Sequence, residues 1–144
     1  MYDLYDKIND NMIQHFSEVT FNEFGDQRGA LVALEANQQV PFDIKRVYYI
    51  YNTGADVRRG CHAHKTLRQC LICVSGHCSV LVDDGKQKEV FHLDQPNKGV
   101  LIDGFIWREL YDFSNDAVVM VLASDHYENT TYIYSYDEFK ELLK

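Results

Sequence analysis

The sequence predicts a single all-β domain, a sandwich or barrel of short strands, with one helix at its C-terminal end. Strand-like runs rich in β-branched and aromatic residues recur about every ten residues, as is typical of such folds. Asp84-Gly85 between two of these runs is a hairpin signal. The chain has 144 residues, of which 46% are hydrophobic, and this is enough for one buried core.

The predicted elements follow one another without a repeat or a linker, so residues 1–144 are assigned to one domain. Ser135 and Glu138 have the spacing of a capping box, and an apolar stripe follows them, which predicts a helix at 136–143 packed on the sheets. Residues 1–14 are assigned to an N-terminal extension. The predicted strands are 30–36, 44–52, 69–76, 78–85, 89–93, 99–103 and 117–124.

Charge is distributed unevenly along the chain. The formal net charge is −8, which argues against broad binding of nucleic acid. Residues 44–82 nevertheless carry six Lys or Arg and a single acid, Asp56. Local charge of this kind can attract one small anionic ligand, although a solvated basic face is the simpler alternative.

The cysteines and the N-terminus bear on the compartment. The acidic start of the chain lacks the apolar segment of a signal peptide, and no apolar run approaches the roughly 18 residues of a membrane span. We therefore expect a cytoplasmic protein with reduced thiols. Cys70 and Cys73 have C-x-x-C spacing, but on a strand they face opposite sides, which favours buried packing over zinc binding.

His62 and His64 are the candidate reactive pair. On a strand they face the same side, and Arg59 and Lys65 flank them. Gly-Cys-His-Ala-His followed by Gln69 resembles the first cupin motif, which in metal-binding cupins supplies two His and a Glu. Gln69 replaces that Glu, and Trp107 stands where a second motif would supply a third His, so too few metal ligands remain. The resemblance implies a jelly-roll-like antiparallel sandwich (a double-stranded β-helix) that holds no metal, with both imidazoles available as acid and base.

An ordered set of segments across residues 15–140 is similar to the nucleotide-sugar 3,4-ketoisomerases. The segments are DQRGALVALE (26–35), PFDIKRVYYI (41–50), RGCHAHK (59–65), QCLICVSG (69–76), VDDG (82–85), Trp107 and VLASDHY (121–127). The resemblance implies that the ketone of dTDP-4-keto-6-deoxyglucose moves from C4 to C3 through an enediol in deoxyaminosugar biosynthesis. It implies no cofactor, and a homodimer with exchanged N-terminal strands. Arg108 stands where this family often has a histidine.

The resemblance and the chemistry together predict the site residues. We expect His64 to move the carbon-bound proton, His62 to assist at the oxygens, and Tyr48 to steady the oxyanion, since Tyr48 shares its strand face with Arg46. Arg46 and Arg59 are predicted to bind the diphosphate. The remaining substrate-binding candidates are Gln69, Trp107 and Arg28, the last in a segment that implies the galacto product.

Three alternatives remain open from the sequence. The first is a cupin nucleotide-sugar epimerase, which also removes a proton beside a ketone but leaves the ketone in place. The second is a non-enzymatic cupin that uses the two histidines to recognise a sugar or a small anion. The third is a metal-dependent cupin oxygenase, which metal analysis of the purified chain would identify.

Overall fold

The computed structural model describes residues 13–144, and its described part is a two-layer antiparallel β structure with a helix at the C-terminal end. The strands are β1 (Gln14–Thr20), β2 (Phe24–Asp26), β3 (Gly29–Leu31), β4 (Arg46–Ile50), β5 (Arg59–His64), β6 (Arg68–Ser75), β7 (Cys78–Asp83), β8 (Lys88–Leu93), β9 (Lys98–Gly104), β10 (Ile106–Tyr111), β11 (Val118–Ala123) and β12 (Tyr132–Ile133); the helix is α1 (Tyr136–Leu142).

Two five-stranded sheets form the body of the fold. Their strand orders are β1-β9-β6-β11-β4 and β12-β5-β10-β7-β8, and β2 and β3 form a separate two-stranded hairpin. Neighbouring strands are antiparallel throughout both large sheets. This arrangement confirms the predicted all-β class with a short C-terminal helix, and it is the jelly-roll sandwich of the cupins.

The main core lies between the two sheets and follows from the period-two pattern of the strands. On β7, Val80 and Val82 are fully buried, and Val119 and Val121 on β11 face them from the other sheet. Each side chain of this kind stabilises the fold by about 1.5–3 kcal/mol when it leaves water. The two sheets are therefore held together by apolar side chains at alternate positions of their strands.

Several elements differ from the sequence-based expectation. Of the predicted strand 30–36, only Ala30 and Leu31 lie in a paired strand, β3, although Val32 and Leu34 still pack on a second apolar cluster. Strands β1, β2, β10 and β12 were not predicted, and β5 was assumed for the histidine pair without predicted bounds. Gln14, assigned to the extension, begins β1, and the rest of that predicted extension, residues 1–12, lies outside the described residues.

Helix α1 begins where the capping signal predicts. The Ser135 side chain accepts a hydrogen bond from the Glu138 backbone N–H at 3.2 Å, which satisfies one of the free donors at the helix start. Phe139 and Leu142 turn inwards and pack on Trp107 at the outer face of the second sheet. None of the helices in residues 13–144 has the length and hydropathy needed to cross a membrane.

Candidate active site

A cavity of about 520 Å³ opens between the two sheets, a size within the usual range for small-molecule sites. The first sheet contributes Arg46, Tyr48 and Gln69, and the second contributes His62 and Arg108. No Asp or Glu is among the described residues that line the cavity, so its fixed charge is positive. Its other lining residues are Tyr49, Ile50, Tyr51, Arg59, Gly60, Leu71, Leu110, Val121, Tyr127 and Tyr132.

Strand β5 carries the two histidines, and a β-bulge at its start sets the orientation of their side chains. Gly60 has a φ of 65°, and the pairing with β10 shifts register at this point. Beyond the bulge, His62 and His64 lie edge to face with ring centroids 4.5 Å apart. His62 lines the cavity, whereas His64 lies deeper and is only 1% exposed. Ala63 between them points the other way, into the cluster under α1.

Both imidazoles are held in the neutral form. Burial, followed by the positive charge of Arg108, lowers the pKa of His62 to about 3. The same two causes, with a further contribution from His62, lower the pKa of His64. The His64 Nδ1 atom is buried and has no hydrogen-bond partner among the described residues. A neutral imidazole with an unpaired nitrogen can accept a proton, as a general base must.

These lowered pKa values predict acid sensitivity of the fold. A histidine in the unfolded chain has a pKa of about 6.5. Between this pH and about 3, His62 therefore binds a proton in the unfolded chain but not in the folded protein. The free energy of unfolding should therefore fall as the pH falls through this window, by up to about 1.4 kcal/mol per pH unit for each imidazole. Urea unfolding at pH 7, 6 and 5 measures the slope, which should flatten in a His62→Asn/His64→Asn double variant. An unchanged slope in that variant would contradict the prediction.

Tyr48 and Arg46 take the inward positions of β4, as their shared strand face predicts. The Arg46 guanidinium carbon lies 5.3 Å from the centre of the Tyr48 ring and 5.7 Å from that of Tyr127. The Arg46 Nε atom is buried without a hydrogen-bond partner among the described residues. Burial raises the pKa of Tyr48, opposed by Arg108 and by a hydrogen bond from Gln69, so its hydroxyl stays protonated at neutral pH.

Arg108 is a cavity residue that the sequence analysis did not select. It is 2% exposed, and its guanidinium donates to the Gln69 side-chain oxygen and to the Ile106 carbonyl oxygen, the latter at 3.1 Å. It forms no ion pair with another described residue. Burial lowers its pKa to about 10, which still leaves it charged at neutral pH. The cavity wall thus contains an uncompensated buried cation.

Tyr132 is a second residue that was missed. Strand β12 pairs with β5 and places Tyr132 opposite His64, with 4.5 Å between the two ring centroids and 5.2 Å to the ring of His62. Tyr134, two residues on, stacks on Tyr132 at 5.5 Å. The aromatic run that contains them signals a strand, but its pairing with β5 is not visible in the sequence.

Trp107 lies outside the cavity, which gives no support to its prediction as a substrate-binding residue. It precedes Arg108 on β10, and because neighbours on a strand face opposite sides, the inward position of Arg108 turns Trp107 outwards. Its ring packs on Tyr136 and Phe139, and its Nε1 atom donates to Glu109 at 3.0 Å.

A Trp107→Ala substitution should therefore affect stability and not binding. Truncation of a buried tryptophan of this size costs about 3–5 kcal/mol, which urea unfolding measures. Affinity for nucleotide, measured at a temperature where the variant is folded, should stay within about twofold, since no ligand contact is lost. Trp107→Phe is the milder control. A large loss of affinity with little change in stability would contradict this assignment.

Arg28 also lies away from the cavity of its own chain. It sits in the turn of the β2–β3 hairpin, where it forms an ion pair with Asp26 at 2.5 Å and is 90% exposed at the side chain. The hairpin carries a surface depression of its own, separate from the cavity. Arg59 does line the cavity, although it is exposed. Of the predicted residues, the described chain thus brings together His62, His64, Tyr48, Arg46, Arg59 and Gln69.

The described residues offer little to a metal ion. They contain no group of three or more His, Cys, Asp or Glu arranged to hold one. The Gln69 oxygen, at the position where a metal-binding cupin has a carboxylate, is occupied by Arg108. Cys70 and Cys73 pack into two different apolar clusters, and all four cysteines are free thiols.

The chain has close relatives of known activity. A family model described as "FdtA: WxcM-like, C-terminal" matches residues 13–144. The TDP-4-oxo-6-deoxy-alpha-D-glucose-3,4-oxoisomerase of Aneurinibacillus thermoaerophilus is 48% identical over 125 residues, which are 87% of this chain and 90% of that protein. A 3,4-ketoisomerase from Helicobacter canadensis superimposes with a TM-score of 0.86 at 44% identity, covering 89% of this chain and 96% of the other.

A third relative was solved with a sugar nucleotide bound. It is a histidine-to-asparagine variant of the 3,4-ketoisomerase QdtA from Thermoanaerobacterium thermosaccharolyticum, in complex with TDP-4-keto-6-deoxyglucose. Its TM-score with this chain is 0.85 at 36% identity, over 90% of this chain and 94% of the other.

Proposed function

The chain belongs to the FdtA family of sugar 3,4-ketoisomerases, and from this membership we propose that it moves the ketone of TDP-4-keto-6-deoxyglucose from C4 to C3 by histidine acid–base catalysis. The single observation that carries the mechanism is the pair of neutral imidazoles in contact with each other, His62 at the wall of a positively charged cavity and His64 behind it. The complex of the QdtA variant supports the choice of substrate.

The chemistry needs a base beside two adjacent carbons. The C3–H bond of a 4-ketosugar is acidic because the electrons it leaves behind spread into the C4 carbonyl, giving an enediolate. We assign His64 to accept this proton and to return it at C4, while His62 moves protons between the two sugar oxygens. Electrons and atoms balance without an external oxidant, since the ketone at C4 becomes an alcohol as the alcohol at C3 becomes a ketone.

The positive charges of the cavity suit the rest of the substrate. Arg46 and Arg59 line the cavity from opposite sheets and are assigned to the diphosphate, which guanidinium groups bind in pairs of hydrogen bonds. The buried charge of Arg108 faces the same space and is assigned to stabilise the enediolate. Tyr48, beside it, is assigned to donate a hydrogen bond to the same developing charge.

Product analysis in deuterated water tests the proposal. Purified enzyme with TDP-4-keto-6-deoxyglucose should give a product whose ketone is at C3, with deuterium at C4 to the extent that the base exchanges its proton with solvent. The NMR couplings at C4 report its configuration, for which we propose the galacto product. Deuterium at C5 without migration of the ketone would identify an epimerase instead, and no reaction at all would favour a binding protein.

We also propose a homodimer in which the β2–β3 hairpin of each chain reaches the cavity of the other. The hairpin stands apart from both large sheets and exposes Phe24 and Leu31, which are 62% and 58% exposed. Such apolar side chains favour a covering partner. Arg28 at the hairpin turn would then serve the partner's cavity, as its predicted role in substrate binding requires.

Complementation of two inactive variants tests this arrangement. Arg28→Ala and His64→Asn chains should each be inactive alone, but mixed dimers contain one cavity with both native residues. Mixing after reversible dissociation should therefore restore up to about a quarter of the native activity per chain, since half of the dimers are mixed and each has one complete cavity. Mixed dimers that form without any recovery would contradict the proposal.

We propose a cytoplasmic location for the enzyme. The four cysteines are free thiols, and Cys70, Cys73 and Cys78 are buried among apolar side chains. A reducing compartment is consistent with that state.

A further inference from the structure

Three buried or half-buried polar side chains form a chain of hydrogen bonds across the cavity wall. Arg108 on β10 donates to the side-chain oxygen of Gln69 on β6, and the Gln69 side-chain nitrogen donates to the Tyr48 hydroxyl oxygen on β4 at 3.2 Å. Arg108 and Gln69 are each 2% exposed, so water does not compete for these groups. This series of hydrogen bonds links the two sheets and ends at the cavity.

Arg108 fixes which group donates and which accepts in each of these hydrogen bonds. A guanidinium carries only donors, so it can be satisfied only by the oxygen of the Gln69 amide. The Gln69 NH₂ group must then face Tyr48, because the reversed amide would place donor against donor at Arg108. Since the amide is buried, neither end can turn to water instead.

The consequence falls on the hydroxyl hydrogen of Tyr48. Its oxygen accepts from Gln69, so its own hydrogen must point elsewhere, and Tyr48 is a lining residue of the cavity. A hydroxyl held in this way presents its donor to whatever occupies the cavity, at no cost of reorientation when charge develops there. Arg108 and Gln69 also oppose the burial that raises the pKa of Tyr48.

We infer that Gln69 is a positioning residue: held by Arg108, its amide sets the direction in which Tyr48 donates to the substrate oxygen. Gln69 was predicted to bind substrate, but here it acts through Tyr48. The inference rests on the donor role that the proposed function gives to Tyr48.

The test compares the loss of kcat in two replacements of Gln69. A positioning role and a purely structural role predict opposite orders for these two losses. In Gln69→Glu the new carboxylate accepts from both neighbours, so Arg108 gains an ion pair while Tyr48 turns its hydrogen away from the cavity. In Gln69→Met Arg108 loses its partner, but the hydroxyl of Tyr48 stays free to rotate towards substrate. We expect kcat to fall by about 10² in Gln69→Glu and by about tenfold in Gln69→Met, with the affinity for TDP within about threefold of the native value. A structural role predicts the reverse order, with Gln69→Met the more damaged, and that result would overturn the inference.

A double-mutant cycle with Tyr48→Phe separates this inference from the role of Tyr48 itself. If Gln69 acts through Tyr48, the effect of Gln69→Glu on kcat should be at least about tenfold smaller once the hydroxyl is gone, and what remains is the effect of its ion pair with Arg108. Gln14→Glu is the matched control, because the Gln14 amide donates only to the Asp84 and Phe105 carbonyl oxygens and its effects should be equal in both backgrounds.

The possible failures are distinguishable. If Tyr48→Phe slows the enzyme but Gln69→Glu costs a further 10²-fold in that background, the positioning role is overturned and the donor role of Tyr48 stands. If Tyr48→Phe leaves kcat unchanged, the donor role fails and the inference fails with it. Tyr111→Phe, on the outward face of β10, serves as the control for loss of a tyrosine hydroxyl.

Discussion

Replacing His64 with Asn should slow migration of the ketone by about 10²- to 10⁴-fold while TDP still binds. Asn is smaller but polar, and it lacks a basic nitrogen, so it removes the proton acceptor without placing a charge in the protein. Because the Nδ1 atom of His64 has no described partner, the substitution breaks no hydrogen bond at that atom. Time-resolved NMR measures the rate of product formation, and calorimetry with TDP measures the affinity.

The same experiment assigns the roles of the two histidines. His62→Asn should also slow the reaction, but exchange of the C3 proton with deuterated solvent should persist in it and disappear in His64→Asn. The opposite pattern would show that His62 removes the C3 proton and His64 assists at the oxygens. This check is necessary because His62, and not His64, lines the cavity. His77→Asn, in the exposed turn between β6 and β7, is the control and should retain full activity.

Replacing Arg108 with Met should lower kcat/KM by about 10² to 10³ with little loss of stability. The guanidinium is buried without an acidic partner among the described residues, and a buried cation of this kind is usually costly to the fold. Met fills a similar volume, and the Gln69 oxygen that it leaves unpaired costs about 1–3 kcal/mol, so the two effects oppose each other. We expect the free energy of unfolding to stay within about 2 kcal/mol of the native value, as measured in urea.

Two observations would accompany that result if Arg108 supplies charge to the reaction. The pKa of His62 should rise, because the charge of Arg108 is the second cause that lowers it, and an NMR titration would detect the change. Arg58→Met, which removes an exposed cation paired with Glu109 at 3.1 Å, should leave activity unchanged. A strongly destabilised Arg108→Met protein with native kcat would show that Arg108 is only structural.

The strands that the sequence predicts well are those whose inward positions are apolar. In the run 78–85, for example, the inward residues Cys78, Val80 and Val82 all enter the core. Strand β10 was missed because Arg108 occupies an inward position, and a charged residue there interrupts the apolar pattern of a core strand. The segment 30–36 was predicted as a strand for most of which no strand pairing exists. Val32 and Leu34 occupy alternate positions because they cover an apolar cluster, although no strand pairs with them.

The site was predictable where motif and strand geometry agree. His62 with His64, and Arg46 with Tyr48, were correctly placed on common faces, since two positions apart on a strand means the same side. Trp107 was misplaced because its position was inferred from a motif in which a histidine points inwards, while here β10 turns Arg108 inwards instead. Tyr132 depends on a pairing between strands 68 residues apart in the chain, which no local pattern encodes.

Ala63 separates the two imidazoles, and its methyl group is completely enclosed by the aromatic layer beneath the terminal helix. A bulkier side chain there would have to lift the helix or bend β5, and either movement would change the spacing and tilt of the rings on the other face. Laboratory evolution for new sugar substrates should therefore accept changes along the cavity rim far more readily than at this one small residue. In the proposed mechanism, the geometry of proton transfer is therefore set by packing on the outer side of the sheet, which the sugar does not contact.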